Sequence, residues 1–379
     1  MIPELQYSAS GRVSDAVAAL GRTEDVRFSP GNHRLAVAGY GENRVVVFDV
    51  RVDSSPSRTE IVLTGGVDLS SPAFHSPHGV AFVDDDTLVV TSRERDLAIF
   101  RLPPGERDVP AREVSPVAWT GSERCLEDAP GSVSVSRLDA DTSEILVCDN
   151  AANSVTRHLV DRRAVGVVKS SEVLLGKHLS IPDGVTVSPD RRWIAVSNHK
   201  THNVLMYERS PKLCADSDPD GILRRVYYPH GLCFSADGRY LFVADAGAPY
   251  LHIYARHVDE WRGVRHPVAS VRVMQDSVFH RGRYNQQEGG PKGLAISADS
   301  NVLVLTAEHQ PLTFFDVSVL LQHALDGDSP CDRAMLDLDH ELALMDDLKN
   351  AAAEAAALRN STSWRLTAPL RRLGAAFRR

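Results

Sequence analysis

The sequence predicts an all-β fold: a six-bladed β-propeller of four-stranded antiparallel blades, followed by a C-terminal helical extension. Three observations predict it. One motif of turn residues and apolar runs returns six times along the chain. Each return holds short apolar stretches of period two, separated by Asp/Gly turns. Helical periodicity is nearly absent before about residue 318.

The clearest copy is IPDGVTVSPDRRWIAVSNHKTHNVLMYER, residues 181–209. Kindred stretches start at His75, Tyr228 and Gly290, and two weaker ones at Glu24 and Ala129. Aligned on Gly184, the copies place Asp25, Gly79, Gly131, Gly184, Gly231 and Gly293 in register, with steps of 54, 52, 53, 47 and 62 residues. Within the fourth copy the runs Val185–Ser188, Trp193–Ser197, Val204–Tyr207 and Leu223–Tyr227 read as four strands. Ser188–Arg192 and Ser235–Arg239 have hairpin-turn chemistry, Asp and Gly supplying the tight geometry. The sixth copy turns helical after Phe314–Val317 and so lacks an outermost strand. Glu4–Tyr7 is expected to supply that strand and close the ring, which leaves no free sheet edge. The domains are then a propeller over 1–317 and a tail over 318–379.

In a four-stranded meander the innermost strand begins at the end of the ring where the second strand finishes. Residues before each first strand and after each second strand therefore collect around one mouth of the central channel. The first set is His78, Pro130, Asp183, His230 and Lys292; the second is Tyr40, Arg93, Asp149, Asn150, Asn198, His199, Asp245 and Glu308. His78, His230 and Asp183 offer the donor types of a divalent ion such as Ca, Mn or Zn. Asp149, Asn150, Asn198, His199, Asp245, Lys292 and Glu308 are candidate ligand-binding partners, for sugar hydroxyls among others. Asp and Asn in such loops also bond neighbouring backbone amides, so a purely structural role stands beside the binding one.

Pro182-Asp183-Gly184 and Pro229-His230-Gly231, followed by strands of the form F/V-S-x-D-G-R-x-L-x-V-A-D, resemble blades of the SMP-30/gluconolactonase-like and NHL-type propellers over residues 24 to 317. The resemblance implies one catalytic divalent metal, held in that family by a Glu of the first blade, an Asn before the Gly of one blade and an Asp before the Gly of the next. Asp183 matches the last of these and becomes the candidate catalytic residue; Pro130 stands where the Asn is expected, and the first copy shows no Glu in an equivalent E-x-P setting.

Bulk composition narrows the class further. With 43% hydrophobic and 24% charged residues the chain is that of a folded globular protein. A net charge of -8 disfavours nucleic acid as the main partner. Five cysteines with no CxxC pair are expected to be reduced thiols. The N-terminus lacks a signal-peptide pattern and no apolar run approaches the ~18 residues of a membrane span, so a cytoplasmic location is expected.

The tail reads differently. SVLLQHALDG is expected to be a short helix, and Ser329-Pro330 starts another. Leu344, Leu348, Ala351, Ala355 and Leu358 keep heptad spacing, fitting either a short coiled coil or a helix packed on the propeller. Seven acids lie between Asp332 and Glu354, whereas six arginines and no acid lie between Arg359 and Arg379. Trp364, Arg365, Leu370, Arg371, Arg372, Leu373 and Phe377 compose a basic amphipathic end suited to an anionic inner-membrane surface or an acidic partner. The string STSWRLTAPLRRLG is similar to the C-terminal signature of bacterial glycosyltransferases and methyltransferases of surface-polysaccharide synthesis. Two functions are therefore expected. One is a propeller binding a glycan-related ligand or a polysaccharide-synthesis protein, peripheral to the inner membrane; the other is a metal-dependent lactonase or hydrolase working at the channel mouth.

Overall fold

The computed structural model describes residues 2–55, 58–94, 97–119, 128–164, 167–258 and 260–325, together with 357 and 359. Six sheets follow one another along the chain, each a blade. Blade one comprises Thr23–Phe28, Arg34–Gly39, Arg44–Ser55 and Arg58–Ser70; blade two comprises Pro77–Asp84, Thr87–Ser92, Leu97–Arg101 and Ala118–Trp119. Blade three is built of Pro130–Arg137, Thr142–Asp149, Ser154–Asp161 and Val168–Leu175. Blade four has Pro182–Val187, Trp193–Asn198, Asn203–Glu208 and Gly221–Leu223; blade five has Pro229–Phe234, Tyr240–Asp245, Tyr250–Ala255 and Ala269–Arg272. Blade six has three strands, Leu294–Ile296, Val302–Ala307 and Gln310–Asp316. The innermost strands touch in cyclic order, with the strand of blade six meeting that of blade one, so the ring is closed.

Two blades gain an extra strand at the outer edge. Ala111–Glu113 runs parallel to the outer strand of blade one, and Gly263–Arg265 runs parallel to that of blade four. Both come from excursions out of the next blade and cover backbone groups that would otherwise be unpaired.

The hairpins between first and second strands show how local sequence sets the turns. Ser188 Oγ bonds Asp190 Oδ1 at 2.5 Å and accepts from Trp193 N at 2.9 Å. Ser235 repeats this with Asp237 and Tyr240. The fourth residue of each turn takes a left-handed backbone, Arg191 at φ 60° and Gly238 at φ 66°.

Because each blade is covered on both faces, its central strands are buried throughout; Trp193–Asn198 and Val302–Ala307 have no exposed position. The apolar core is therefore a set of layers, one between each pair of neighbours. Leu146, Val185, Ile194 and Tyr207 fill the layer between blades three and four, and Trp193, Leu232, Tyr254 and Trp261 that between four and five. Each buried large apolar side chain contributes about 1.5–3 kcal/mol.

The closing strand differs from the sequence expectation in part. Leu5 N donates to Phe314 O of blade six at 2.8 Å, but Tyr7–Ala9 then runs parallel to the outer strand of blade one, Tyr7 opposite Ile61. Leu5, Tyr7 and Ala9 all pack into the apolar layer between blades six and one, and Tyr7 meets Phe314 edge-on at 5.5 Å. The N-terminal segment thus follows the seam rather than completing blade six. Ser10 then caps helix α1 (Gly11–Ala18), its side chain accepting from Val13 N.

The chain divides into two compact units, Met1–Ser329 and Pro330–Arg379. The first includes α2 (Asp276–Gly282) and α3 (Val317–Leu325), whose Leu320 is buried among Leu303, Phe315 and Val271. Trp364, Arg365, Leu370, Arg371, Arg372, Leu373 and Phe377 lie outside the described residues. No described helix is long and apolar enough to cross a membrane.

The register glycines have a steric origin. A Cβ on Gly184 would sit 2.1 Å from His230 O, and one on Gly231 would sit 2.4 Å from Lys292 O. At these glycines the neighbouring innermost strand stands too close for a side chain. Hydroxyls stitch the gap: Ser197 Oγ accepts from Gly184 N at 2.6 Å and donates to His230 O at 2.8 Å. Gly184→Ala is accordingly expected to destabilise the fold by about 3 kcal/mol or more. Gly176→Ala, whose new Cβ would meet its first neighbour at 3.6 Å, should stay near wild type. Thermal unfolding of the two variants side by side checks this.

Candidate functional site at the channel mouth

The residue before each close approach has its side chain delivered to the channel mouth. In chain order these are Glu24, His78, Pro130, Asp183, His230 and Lys292. Arg93, Asn150 and His199, which follow the second strands of blades two, three and four, join them. Together with Arg22, Gln287 and Glu288 they enclose a cavity of about 110 Å³.

The centre of the site is His230. Its Nε2 lies 3.1 Å from Asp183 Oδ2 and 3.3 Å from Glu24 Oε2, so one ring nitrogen faces two carboxylates. The ring of His78 stacks on it with centroids 5.3 Å apart, and His78 Nε2 is 3.7 Å from both Glu24 Oε2 and Asp183 Oδ1. Arg93 Nη2 reaches His78 Nε2 at 2.8 Å and Asp183 Oδ1 at 3.0 Å. An arginine only donates, so His78 Nε2 accepts and Nδ1 carries the proton. Nδ1 is buried without a partner.

Each buried charge is held by opposite ones. Glu24 Oε1 accepts from Lys292 Nζ at 2.8 Å and pairs with Arg22. Lys292 also meets Glu288 at 2.7 Å. Burial alone would raise the Glu24 carboxyl, but Lys292 above all, with His230, His78 and Arg22, holds it well below the usual carboxylate range. Asp183 is depressed in the same way, burial being outweighed by His230, Arg93, His78 and His199. Asn150 Nδ2 adds a hydrogen bond to Asp183 Oδ1 at 3.1 Å. His78 is pushed far down by burial first and then by Arg93, so it is neutral near pH 7. Burial also lowers His199.

The donor set fits a metal ion. Glu24, His78 and His230 each offer a ligand atom within 4.8 Å of the others, and all three are buried. The edge of a tetrahedron with metal–ligand bonds of about 2.0–2.1 Å is roughly 3.3 Å. The separations of Glu24 Oε2 from His230 Nε2, 3.3 Å, and from His78 Nε2, 3.7 Å, are of that size, while Asp183 meets the two imidazoles through different oxygens. Glu24 Oε2 has no hydrogen-bond partner, as expected of an oxygen left for a ligand.

Sequence reasoning and geometry part company at several positions. Asp183, His78, His230, Asn150, His199 and Lys292 all line the cavity. Asp149, Asn198 and Asp245 do not. Asp149 accepts from the backbone of Asp128 and Ala152. Asn198 Oδ1 accepts from Ser180 N, and its Nδ2 donates to His178 O. Asp245 accepts from Tyr227 N and Tyr228 N and faces His252 Nε2 at 3.0 Å. All three are wholly or almost wholly buried and hold the loop that leads into the first strand of their own blade. Glu308 is half-buried and off the cavity, beside Tyr284, whose hydroxyl is pushed up to about 12 by burial, with Glu288 and Glu308 adding to it. Pro130 brings no polar group.

The converse case is Glu24. The first copy does place a carboxylate at the position equivalent to Asp183, without any E-x-P setting, and its signal was the register itself: Glu24 precedes Asp25 as Asp183 precedes Gly184. Asp25 stands in the Gly position of blade one, where its carboxylate accepts from Val26 N and Val80 N and pairs with Arg27. Arg22, Gln287 and Glu288 lie outside the repeat and had no such signal.

The depressed histidines set a pH dependence for the metal-free protein. In the unfolded chain His78 takes a proton near pH 6.5, whereas in the fold it resists protonation until well below that. The unfolded state therefore binds more protons below about pH 6.5, and stability falls there by up to about 1.4 kcal/mol per pH unit for each such histidine. Chelator-treated protein should lose thermal midpoint between pH 6.5 and 5, and His78→Gln should lose less.

No family model matches the chain, and no curated protein matches it. Among solved structures, a functionally unknown protein from Desulfotomaculum acetoxidans DSM 771 is similar, with 14% identity, a TM-score of 0.49, and 78% of this chain and 83% of that one covered. A Bacteroides uniformis ATCC 8492 protein whose proposed assignment is 6-phosphogluconolactonase is similar with 12% identity, a TM-score of 0.47, and 77% and 80% covered. At these values neither likeness bears on the chemistry of the site; what stands on its own geometry is a six-bladed propeller with a buried ionisable cluster at one channel mouth.

Proposed function

We propose that the protein is a divalent-metal-dependent hydrolase acting on a small carbohydrate-derived ester or lactone at the channel mouth. The observation that carries this is the buried convergence of Glu24, His78 and His230, with ligand atoms within 4.8 Å of one another and the Asp183 carboxylate 3.1 Å from His230 and 3.7 Å from His78. A divalent ion held there would polarise the substrate carbonyl and make bound water more acidic. The remaining residues have definable tasks. Lys292 and Arg22 keep Glu24 ionised through Oε1 and leave Oε2 for the ligand role. Asn150 Oδ1 is buried without a partner and offers an acceptor for a substrate hydroxyl.

One observation favours a second reading. Arg93 already occupies His78 Nε2, so the carboxylates and imidazoles are held without an ion and would serve as a metal-free recognition pocket for sugar hydroxyls. In that reading the protein is an accessory factor of surface-polysaccharide synthesis, docked by its Arg-rich end.

Elemental mass spectrometry of the tag-free protein separates the two. The hydrolase reading expects near one Ca, Mn or Zn per chain, and in Asp183→Ala loss of the ion together with a drop in lactone hydrolysis of about 100-fold or more. A wild-type protein without metal and without hydrolysis leaves only the recognition pocket. For the docking idea, removal of residues 361–379 is expected to shift the protein out of the membrane fraction with its thermal midpoint unchanged. An unaltered distribution would refute it.

A further inference from the structure

We infer that the ligand of this site carries an anionic group, and that Arg93 is the residue that binds it, in competition with its present hold on His78. The inference rests on the metal reading above. Around the cavity three cations, Arg22, Arg93 and Lys292, face three carboxylates, Glu24, Asp183 and Glu288. That set is balanced. A divalent ion on Glu24, His78, His230 and Asp183 adds two charges that nothing on the cavity wall offsets, and a buried excess of charge is costly unless it is paired. A neutral sugar ring leaves the excess in place; a phosphate or carboxylate removes it.

The geometry singles out Arg93 among the three cations. Arg22 and Lys292 both reach Glu24 through Oε1, the oxygen turned away from the histidines, and both also hold Glu288, at 2.9 and 2.7 Å. Nothing in ion binding takes those partners from them. Arg93 instead spends Nη2 on His78 Nε2 and Asp183 Oδ1, two of the atoms an ion would claim, and keeps only Ala129 O for Nη1. An imidazole nitrogen has one lone pair, so ion and guanidinium exclude each other there. Arg93 has a side chain 20% exposed and lines the cavity, so once displaced it can turn to a ligand within the same space. A planar guanidinium suits a phosphate or carboxylate group.

The test uses the full-length protein, stripped with chelator and then titrated calorimetrically, first with Mn²⁺ and then, when loaded, with glucose, gluconate and glucose 6-phosphate. The Mn²⁺-loaded wild type is expected to bind gluconate or glucose 6-phosphate at least about tenfold more tightly than glucose. By reciprocity, the factor by which Mn²⁺ tightens the anionic sugar is the factor by which that sugar tightens Mn²⁺. Arg93→Gln is expected to bind Mn²⁺ more tightly than wild type, since no cation contests His78, and to lose the preference for the anion. Arg93→Lys keeps the charge and should restore part of that preference. A loaded wild type that binds the three sugars equally, or an Arg93→Gln variant that keeps the preference, would overturn the inference while leaving the metal site standing. A wild type that takes up no Mn²⁺ brings down the metal reading and this one with it.

Discussion

Everything at the channel mouth depends on how closely the innermost strands approach. At Gly184 and Gly231 the neighbouring carbonyl stands where a Cβ would be. That constraint fixes the ring diameter at one level, and the residue one step earlier in each blade then has only the mouth in which to place its side chain. Six blades thereby deliver six side chains to one small space, whatever their chemistry. In this chain they are two carboxylates, two imidazoles, one ammonium and one proline. The backbone geometry is common to all six blades; the chemistry is local to each.

Placing so many ionisable groups together is costly unless the charges compensate. Glu24 is satisfied on one oxygen by Lys292 and Arg22, Asp183 by Arg93 and Asn150, while His230 faces both carboxylates. Burial and pairing pull in opposite directions on each carboxylate, and pairing wins for Glu24 and Asp183. Asp25, one residue along, is deeper in the channel with Arg27 as its cation, and there burial wins and the carboxyl is raised. Two adjacent acids thus end on opposite sides of their ordinary value because of what stands next to them.

The propeller was legible in the sequence because its period is marked by a close approach that five of the six blades meet with Gly and by turns that Ser and Asp close. Hairpins such as Ser188–Arg192 and the central strand Trp193–Asn198 sit where the motif places them. Two things were not legible. Asp149, Asn198 and Asp245 occupy ring positions beside true cavity residues, yet their side chains turn to loop amides; sequence spacing carries no information about that turn. Glu24 was hidden because blade one substitutes Asp25 for the marker glycine, and Arg22, Gln287 and Glu288 come from connections that do not repeat. The extra strands Ala111–Glu113 and Gly263–Arg265 were equally silent, being short segments whose partners lie in the preceding blade.

Blade six has three strands, and at its open edge only Leu5 pairs with it before the N-terminal segment crosses to blade one. Side chains cross the junction between first and last blades: Thr23 Oγ1 donates to Ala307 O at 3.2 Å, Arg27 Nη1 to Leu294 O at 2.6 Å, and Ala298 N to Asn32 Oδ1 at 3.0 Å. On the inside the same junction is spanned by Lys292 of blade six and Glu24 of blade one. The candidate pocket is therefore also a buckle. An occupant that ties Glu24 to Asp183 and His230 fastens the two ends of the belt from within, so the contents of the cavity and the integrity of the ring draw on the same few atoms.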